Sequence, residues 1–279
     1  MGRRRIKPSV LAINTLMWGI VGTFMLPFYT LFAYAFKERS ATMTDNPLAF
    51  PTTLYLKNFT DAIEKAKLPM AFRNSAVSTV SGVVVLVIVC SMAAYIIARR
   101  SRSRFYATWQ YIFLAAIMLP FQTVMFPIYK NLASLNWLNT ISAYVLVMVG
   151  FHLPYNIFLY IGFIKTVPIE MEEAAMIDGC GRYRTFFRVV FPLLRPINMT
   201  VIVLSALAIW NDFQIALVVV MKSTVRTVTL AQQQFITAQI SYLNLAAAAC
   251  ILSTLPMFVL FLFLQKYIAK GIMAGAVKG

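Results

Sequence analysis

Six stretches of about 20 apolar residues, the length an α-helix needs to cross a bilayer, dominate this chain: 11–36, 76–98, 106–129, 141–164, 197–221 and 245–267. None contains Lys, Arg or Glu except Lys266 at the end of the sixth, where a long side chain reaches the interface. The runs are continuously apolar and too long for barrel strands of about 9–11 residues, so they predict helices. With 60% hydrophobic and 12% charged residues, the 279-residue chain has too little charge to coat a water-soluble globule. The expected fold class is an all-α membrane protein with six transmembrane helices. Pro27, Pro120, Pro127, Pro154 and Pro256 fall within the spans, as kinks along a path or as packing features.

The net charge of +16 would suit a nucleic-acid partner in a soluble protein, but the basic residues lie in short blocks between the apolar runs. Nucleic acid is excluded as a partner, and membrane lipid is the expected solvent. Arg3, Arg4, Arg5 and Lys7 precede an apolar run too long for a cleaved signal peptide, and Ile6 fails the myristoylation pattern after Gly2. Placing the N-terminus inside puts 16 of the 25 basic residues on the cytoplasmic side and 9 outside, six of these in the long 37–74 loop. Both termini are therefore expected in the cytoplasm. Cys90, Cys180 and Cys250 lack metal or disulfide spacing and read as buried free thiols.

The one long cytoplasmic loop, 165–196, carries its own helix signals. Pro168 suits a first turn, Glu170, Glu172 and Glu173 suit a helix N-terminus, and Gly179-Cys180-Gly181 suits its end. A second helix is expected after Gly181, with Arg184 and Arg188 on one face, Phe186, Phe187 and Val190 on another, and Pro192 closing it. Ala174 and Ala175 would leave a smooth strip for another protein. An amphipathic segment lying on headgroups has the same composition.

The loop also resembles a known pattern. Glu173-Ala174-Ala175, three residues, Gly179, nine residues, then Val189-Val190-Phe191-Pro192 is similar to the EAA loop of permeases from binding-protein-dependent ABC importers, with Val189 and Phe191 in place of the usual Ile and Leu. Further likeness lies in Leu56-Lys57-Asn58-Phe59, Phe72-Arg73-Asn74-Ser75, Ala93-Ala94-Tyr95 before Arg99-Arg100, Trp210-Asn211-Asp212-Phe213 and the tail from Gly271 to Gly279. Together these resemble the MalG-like branch of carbohydrate importers. The resemblance implies a type I importer permease fold, a second permease subunit forming a heterodimer, two cytoplasmic ATPase subunits, an extracellular solute-binding protein and a carbohydrate substrate, an oligosaccharide above all. It implies that Glu173, Ala174, Ala175, Gly179 and Pro192 couple to an ATPase, and that the tail, with Gly275 and Lys278, reaches between the ATPase subunits. A bacterial cytoplasmic membrane is the implied location. By composition alone the tail reads as disordered.

Active transport needs an energy source, and the chain has no phosphate-binding loop and no set of intramembrane carboxylates. It is expected to be no enzyme and to bind no cofactor, ATP and Mg residing on the partner ATPases. Asp212 is the only acid within a predicted span. With Trp210 and Asn211 it could contact sugar hydroxyls along the substrate path, or it could pair with a neighbouring helix. His152, the only histidine, stands beside Pro154 without a second histidine, so it reads as a packing residue and no metal site is expected. The external segments 37–74 and 222–244 could receive the binding protein or serve as solvated connectors.

The expected organisation is a basic cytoplasmic N-terminus at 1–10, a six-helix permease domain at 11–268 with its EAA loop, and a cytoplasmic tail at 269–279. Two alternatives stand beside it: an importer of a non-sugar solute, which shares the EAA loop, and a self-sufficient ion-coupled carrier. The orientation is testable with single cysteines at Thr44 and Ser103 in a cysteine-free background. An impermeant thiol reagent should label position 44 and spare 103 in intact cells, and the reverse pattern would invert the topology.

Overall fold

The computed structural model describes residues 8–44, 46–236 and 241–276. The helices run α1 (Pro8–Phe36), α2 (Arg39–Thr44), α3 (Lys57–Lys65), α4 (Leu68–Arg99), α5 (Arg104–Ile117), α6 (Phe121–Ser134), α7 (Ile141–Ile164), α8 (Glu170–Ile177), α9 (Arg182–Thr185), a π turn (Phe186–Val190), α10 (Phe191–Leu193), α11 (Arg195–Trp210), α12 (Gln214–Val219), α13 (Val228–Gln232) and α14 (Leu243–Ala276). Among the described residues there is no strand, only one isolated bridge between Ile236 and Ser241.

Four helices, α1, α4, α7 and α14, contain stretches long and apolar enough to cross a membrane, and bent pairs raise the number to as many as six. The run at 141–164 is a single helix with those bounds. The run at 106–129 is instead broken: α5 and α6 meet at 100° around Met118–Pro120. Pro120 has no N–H to continue the ladder, disfavours helix at Leu119, and is itself extended (ψ 140°). The other four mid-span prolines lie inside α1, α6, α7 and α14. The run at 197–221 is also interrupted, between α11 and α12. The 37–74 segment is not a plain loop, because it forms α2 and α3 and contributes the first turns of α4. Arg73-Asn74-Ser75 interrupt the apolar run there, so apolarity alone starts α4 late.

The chain divides into two compact units, Met1–Leu68 with Gln232–Thr254 and Pro69–Ala231 with Leu255–Gly279. In the first, Asn58 closes the end of α1: its Nδ2 donates to the carbonyls of Ala35 at 2.9 Å and Lys37 at 2.7 Å, and its Oδ1 accepts from Asn244 at 2.7 Å. One buried amide thus satisfies carbonyls that a helix C-terminus leaves without intrahelical partners and ties α1, α3 and α14 together. Phe36 packs on Phe59, and the Arg39 guanidinium lies 4.0 Å from the Tyr242 ring centroid.

In the second unit α7 is central, packing against α5, α11 and α12. Its core holds Leu86, Cys90, Tyr144, Met148, Tyr160 and Val201. Polar pairs supplement the apolar contacts, as expected for helices associating in lipid: Tyr160 donates to Asn198 at 2.7 Å and Ser205 to Asn156 at 3.3 Å. Gly82 lets α4 approach α11 closely, since a Cβ there would meet Ile209 Cδ1 at 2.7 Å. All three cysteines are free, but only Cys90 is buried, Cys180 and Cys250 being half-buried.

Asn58→Ala should lower the thermal stability of the detergent-purified protein by about 1–3 kcal/mol, the cost of leaving buried hydrogen-bonding groups unpaired. An unchanged melting temperature would show that water replaces all three bonds.

Candidate functional site

The residues of the long loop form a helix, a turn and a returning helix. Glu170, Glu172 and Glu173 occupy the first turn of α8, where negative charge opposes the macrodipole. At 3.6 residues per turn, Glu172 and Ala175 share one side, while Glu170, Glu173, Ala174 and Ile177 lie together elsewhere. The first pair is buried and the other four are exposed. Ile177 is 85% exposed, and Met171 and Met176 are exposed beside it. The expected alanine strip is corrected here: Ala174 faces outward with Glu173, but Ala175 packs inward.

The helix ends as the glycines predict. Cys180 N–H donates to Ala175 O at 2.9 Å and Gly179 N–H to Met176 O at 3.1 Å, the bond pair of a Schellman ending. Gly179 has φ +82°, a conformation that costs glycine little and other residues more. The returning arm does not stop at Pro192. It passes through α9, the π turn and α10, with Pro192 exposed in α10, and bends by 76° into α11. Pro192 cannot donate to the preceding turn, and the chain widens there, Phe191 N–H bonding Phe186 O five residues back. Phe186 and Val190 are buried, whereas Phe187 turns outward, away from the face expected of it.

A buried polar network fixes α8 to the end of α4. Arg99 Nε donates to Glu172 Oε1 at 2.8 Å, Arg99 Nη2 lies 2.6 Å from the same oxygen, and Tyr95 Oη donates to Oε2 at 2.7 Å. Arg99 Nη2 also donates to Val167 O at 2.9 Å, just ahead of α8. The Glu172 side chain is only 4% exposed. Tyr95 packs its ring on Phe186 in the returning arm, with centroids 5.3 Å apart. In sequence Glu172 reads only as a helix-start acid, and Tyr95 and Arg99 only as part of the likeness to permeases, with no pairing between them. The signal was available in the placement of Glu172 three residues before Ala175, about 100° around the helix from Glu173.

Asp212 lies in the break between α11 and α12. Its Oδ1 accepts from Ile215 N–H at 3.2 Å, and its Oδ2 accepts from Ala216 N–H at 2.9 Å and from Tyr144 Oη at 3.0 Å. The carboxylate thus caps α12 and pins it to α7, as short polar side chains do at helix starts. The backbone carbonyl of Asp212 accepts from the Thr229 hydroxyl. The far end of α12 is held too: Asn139 N–H donates to Val219 O and Lys222 N–H to Asn139 Oδ1, both at 2.8 Å. Of the three residues considered for a substrate path, Trp210 is 5% exposed and packs near Phe72, Asp212 is occupied as a cap, and Asn211 is exposed. Two exposed glutamines lie at the same breaks, Gln122 opening α6 and Gln214 opening α12, and Gln122 Nε2 donates to Gln214 Oε1 at 3.2 Å. His152 is half-buried with its ring edge-on to Phe151. Gly275 falls in the last turns of α14, which is helical to Ala276, while Lys278 lies outside the described residues.

The fold is that of an ABC importer permease. A chain in the crystal structure of a bacterial ABC transporter involved in the import of the acidic polysaccharide alginate matches it with a TM-score of 0.79, covering 96% of this chain and 99% of that one at 18% identity. Residues 90–274 match the family described as binding-protein-dependent transport system inner membrane component, and the chain belongs to that family. Over 278 residues it is 36% identical to the melibiose/raffinose/stachyose import permease MelC of Bacillus subtilis, covering 99% of this chain and all of that protein. It is 34% identical to the probable starch degradation products permease AmyC of Thermoanaerobacterium thermosulfurigenes (90% and 91% covered) and 32% identical to the diacetylchitobiose uptake permease DasC of Streptomyces coelicolor (99% and 98%). This membership sets aside the ion-coupled carrier.

Asp212→Ala should destabilise the protein by about 0.5–2 kcal/mol, the range for losing a helix cap, and Asp212→Asn by less because an amide oxygen still accepts. Melting temperatures of the two variants in detergent check the order, and equal values would remove the capping role.

Proposed function

We propose that this chain is the membrane-spanning permease subunit of an ATP-driven importer for a carbohydrate, with an oligosaccharide as its cargo. In this reading α1, α4, the α5–α6 pair, α7, the α11–α12 pair and α14 are six spans with both termini in the cytoplasm. At 1.5 Å per residue the 16 residues of α11 span about 24 Å, short of a hydrocarbon core of about 30 Å, so α12 completes the crossing. A second permease forms a heterodimer with this one, a solute-binding protein delivers the sugar outside, and two ATPase subunits carrying ATP and Mg act inside.

The observation that carries this reading is the face of α8. Glu170, Glu173 and Ala174 stand exposed there beside bare Met171, Met176 and Ile177. A solvated connector has no use for that much apolar surface on so short a helix, and the acids suit anionic headgroups poorly. A protein cleft with a basic residue for Glu173 suits both. The sugar-importing relatives, similar over nearly their whole lengths, support the substrate class. Exposed glutamines and an asparagine at span breaks are unfavourable against lipid and suitable against hydroxyls, so Gln122, Asn211 and Gln214 replace Trp210 and Asp212 as the side chains offered to sugar on the path. Gly275 and Lys278, at the end of α14 and beyond, would reach the ATPases.

Glu173→Lys reverses the charge at the docking contact, and Gly179→Pro removes its turn. Both should insert normally yet abolish transport, with the ATPase lost on co-purification or no longer stimulated by binding protein. Wild-type values in both variants would overturn the docking reading.

A further inference from the structure

We propose that Tyr95 and Arg99 of α4 and Glu172 of α8 form a clamp that makes the ATPase-facing helix and the cytoplasmic end of α4 one rigid body, so that α4 is the span driven directly by the ATPase. The proposal rests on the docking reading of α8 but goes beyond it, because that reading does not say which span receives the motion.

The geometry is complete on both sides. Both carboxylate oxygens of Glu172 are engaged, one by the Arg99 guanidinium and one by the Tyr95 hydroxyl. Arg99 reaches the backbone at Val167, and so holds the chain on both sides of the start of α8. Tyr95 lies one helical turn before Arg99 and also carries Phe186 on its ring, so the same turn of α4 grips both arms of the helix-turn-helix. Of the two ion pairs among the described residues, the other, Lys65 with Asp61, joins neighbouring turns on the solvent side of α3. Charge-assisted bonds inside an apolar surround are short and directional, and removing one partner leaves a buried charge without compensation. Such a joint resists sliding and transmits displacement. The exposed face of α8, carrying Glu173, is left free for docking, so one helix separates its two tasks by side. Tyr95, Arg99 and Glu172 are positioning residues that act through α8.

The test measures the joint in the assembled transporter. Spin labels at Ile96 on α4 and Asp178 at the end of α8, both exposed and outside the docking contact, report their separation in the nucleotide-free complex and after trapping with ATP and vanadate. One narrow, identical distance is expected in both states. In Glu172→Ala the distribution should broaden on trapping, and ATP hydrolysis should lose its response to binding protein while continuing at the basal rate. Tyr95→Phe, which removes one hydrogen bond and keeps the ring on Phe186, should fold normally and lower the stimulated rate about threefold to tenfold. A distance that changes on trapping in the otherwise unaltered protein would overturn the clamp while leaving docking intact. So would wild-type coupling in both variants. Failure of the ATPase to associate at all would instead count against the docking reading.

Discussion

Where water is absent, every backbone N–H and C=O must find its partner within the protein, and the departures from regular helix here show how that demand is met. Around α12, at the end of α1 and at Pro192, a group takes over the missing bonds. Asp212 accepts the two N–H groups at the start of α12 that have no helical partner, and Asn139 receives the chain at its end. Asn58 collects the last carbonyls of α1, and the π turn absorbs the donor missing at Pro192. The broken elements are therefore as well determined as the unbroken ones.

The same demand explains the distribution of charge. A carboxylate on a lipid-facing surface would cost several kilocalories per mole. The one acid in the spans is accordingly ringed by two amides and a tyrosine hydroxyl. Glu172 is paired with Arg99 where the spans end. Glu173, one residue later, has an exposed position and is free for intermolecular use. Adjacent acids thus differ in use: one holds its helix to the permease, and the other is the group that the proposed function presents to a partner.

The proposed function asks two attributes of one chain: a path that tolerates a polar solute, and a handle by which another subunit moves it. The breaks at Met118–Pro120 and Asn211–Phe213 bring exposed amides into the spans. The turn at Gly179 and the bend before α11 project a rigid handle from them. Both rely on interrupted helix, and both are fastened to long continuous helices, α7 for the path and α4 for the handle.

By itself the sequence determined the solvent, the helical class and the positions of the apolar runs, because hydropathy over about 20 residues is a local property with a single physical meaning in a bilayer. It also determined the glycine turn at 179, since a left-handed residue followed by a capped end is decided within a few residues. The tertiary structure alone decided which side each residue of the loop presents. Ala175 and Glu172 turn inward and Phe187 outward because of α4 and the π turn, neither of which is visible in local pattern. It likewise decided the use of Asp212, whose hydrogen-bond donors are backbone amides three and four residues later and a tyrosine 68 residues before it. Composition can mark such a residue as costly, but only the packing of α7 against α11 and α12 specifies what offsets the cost.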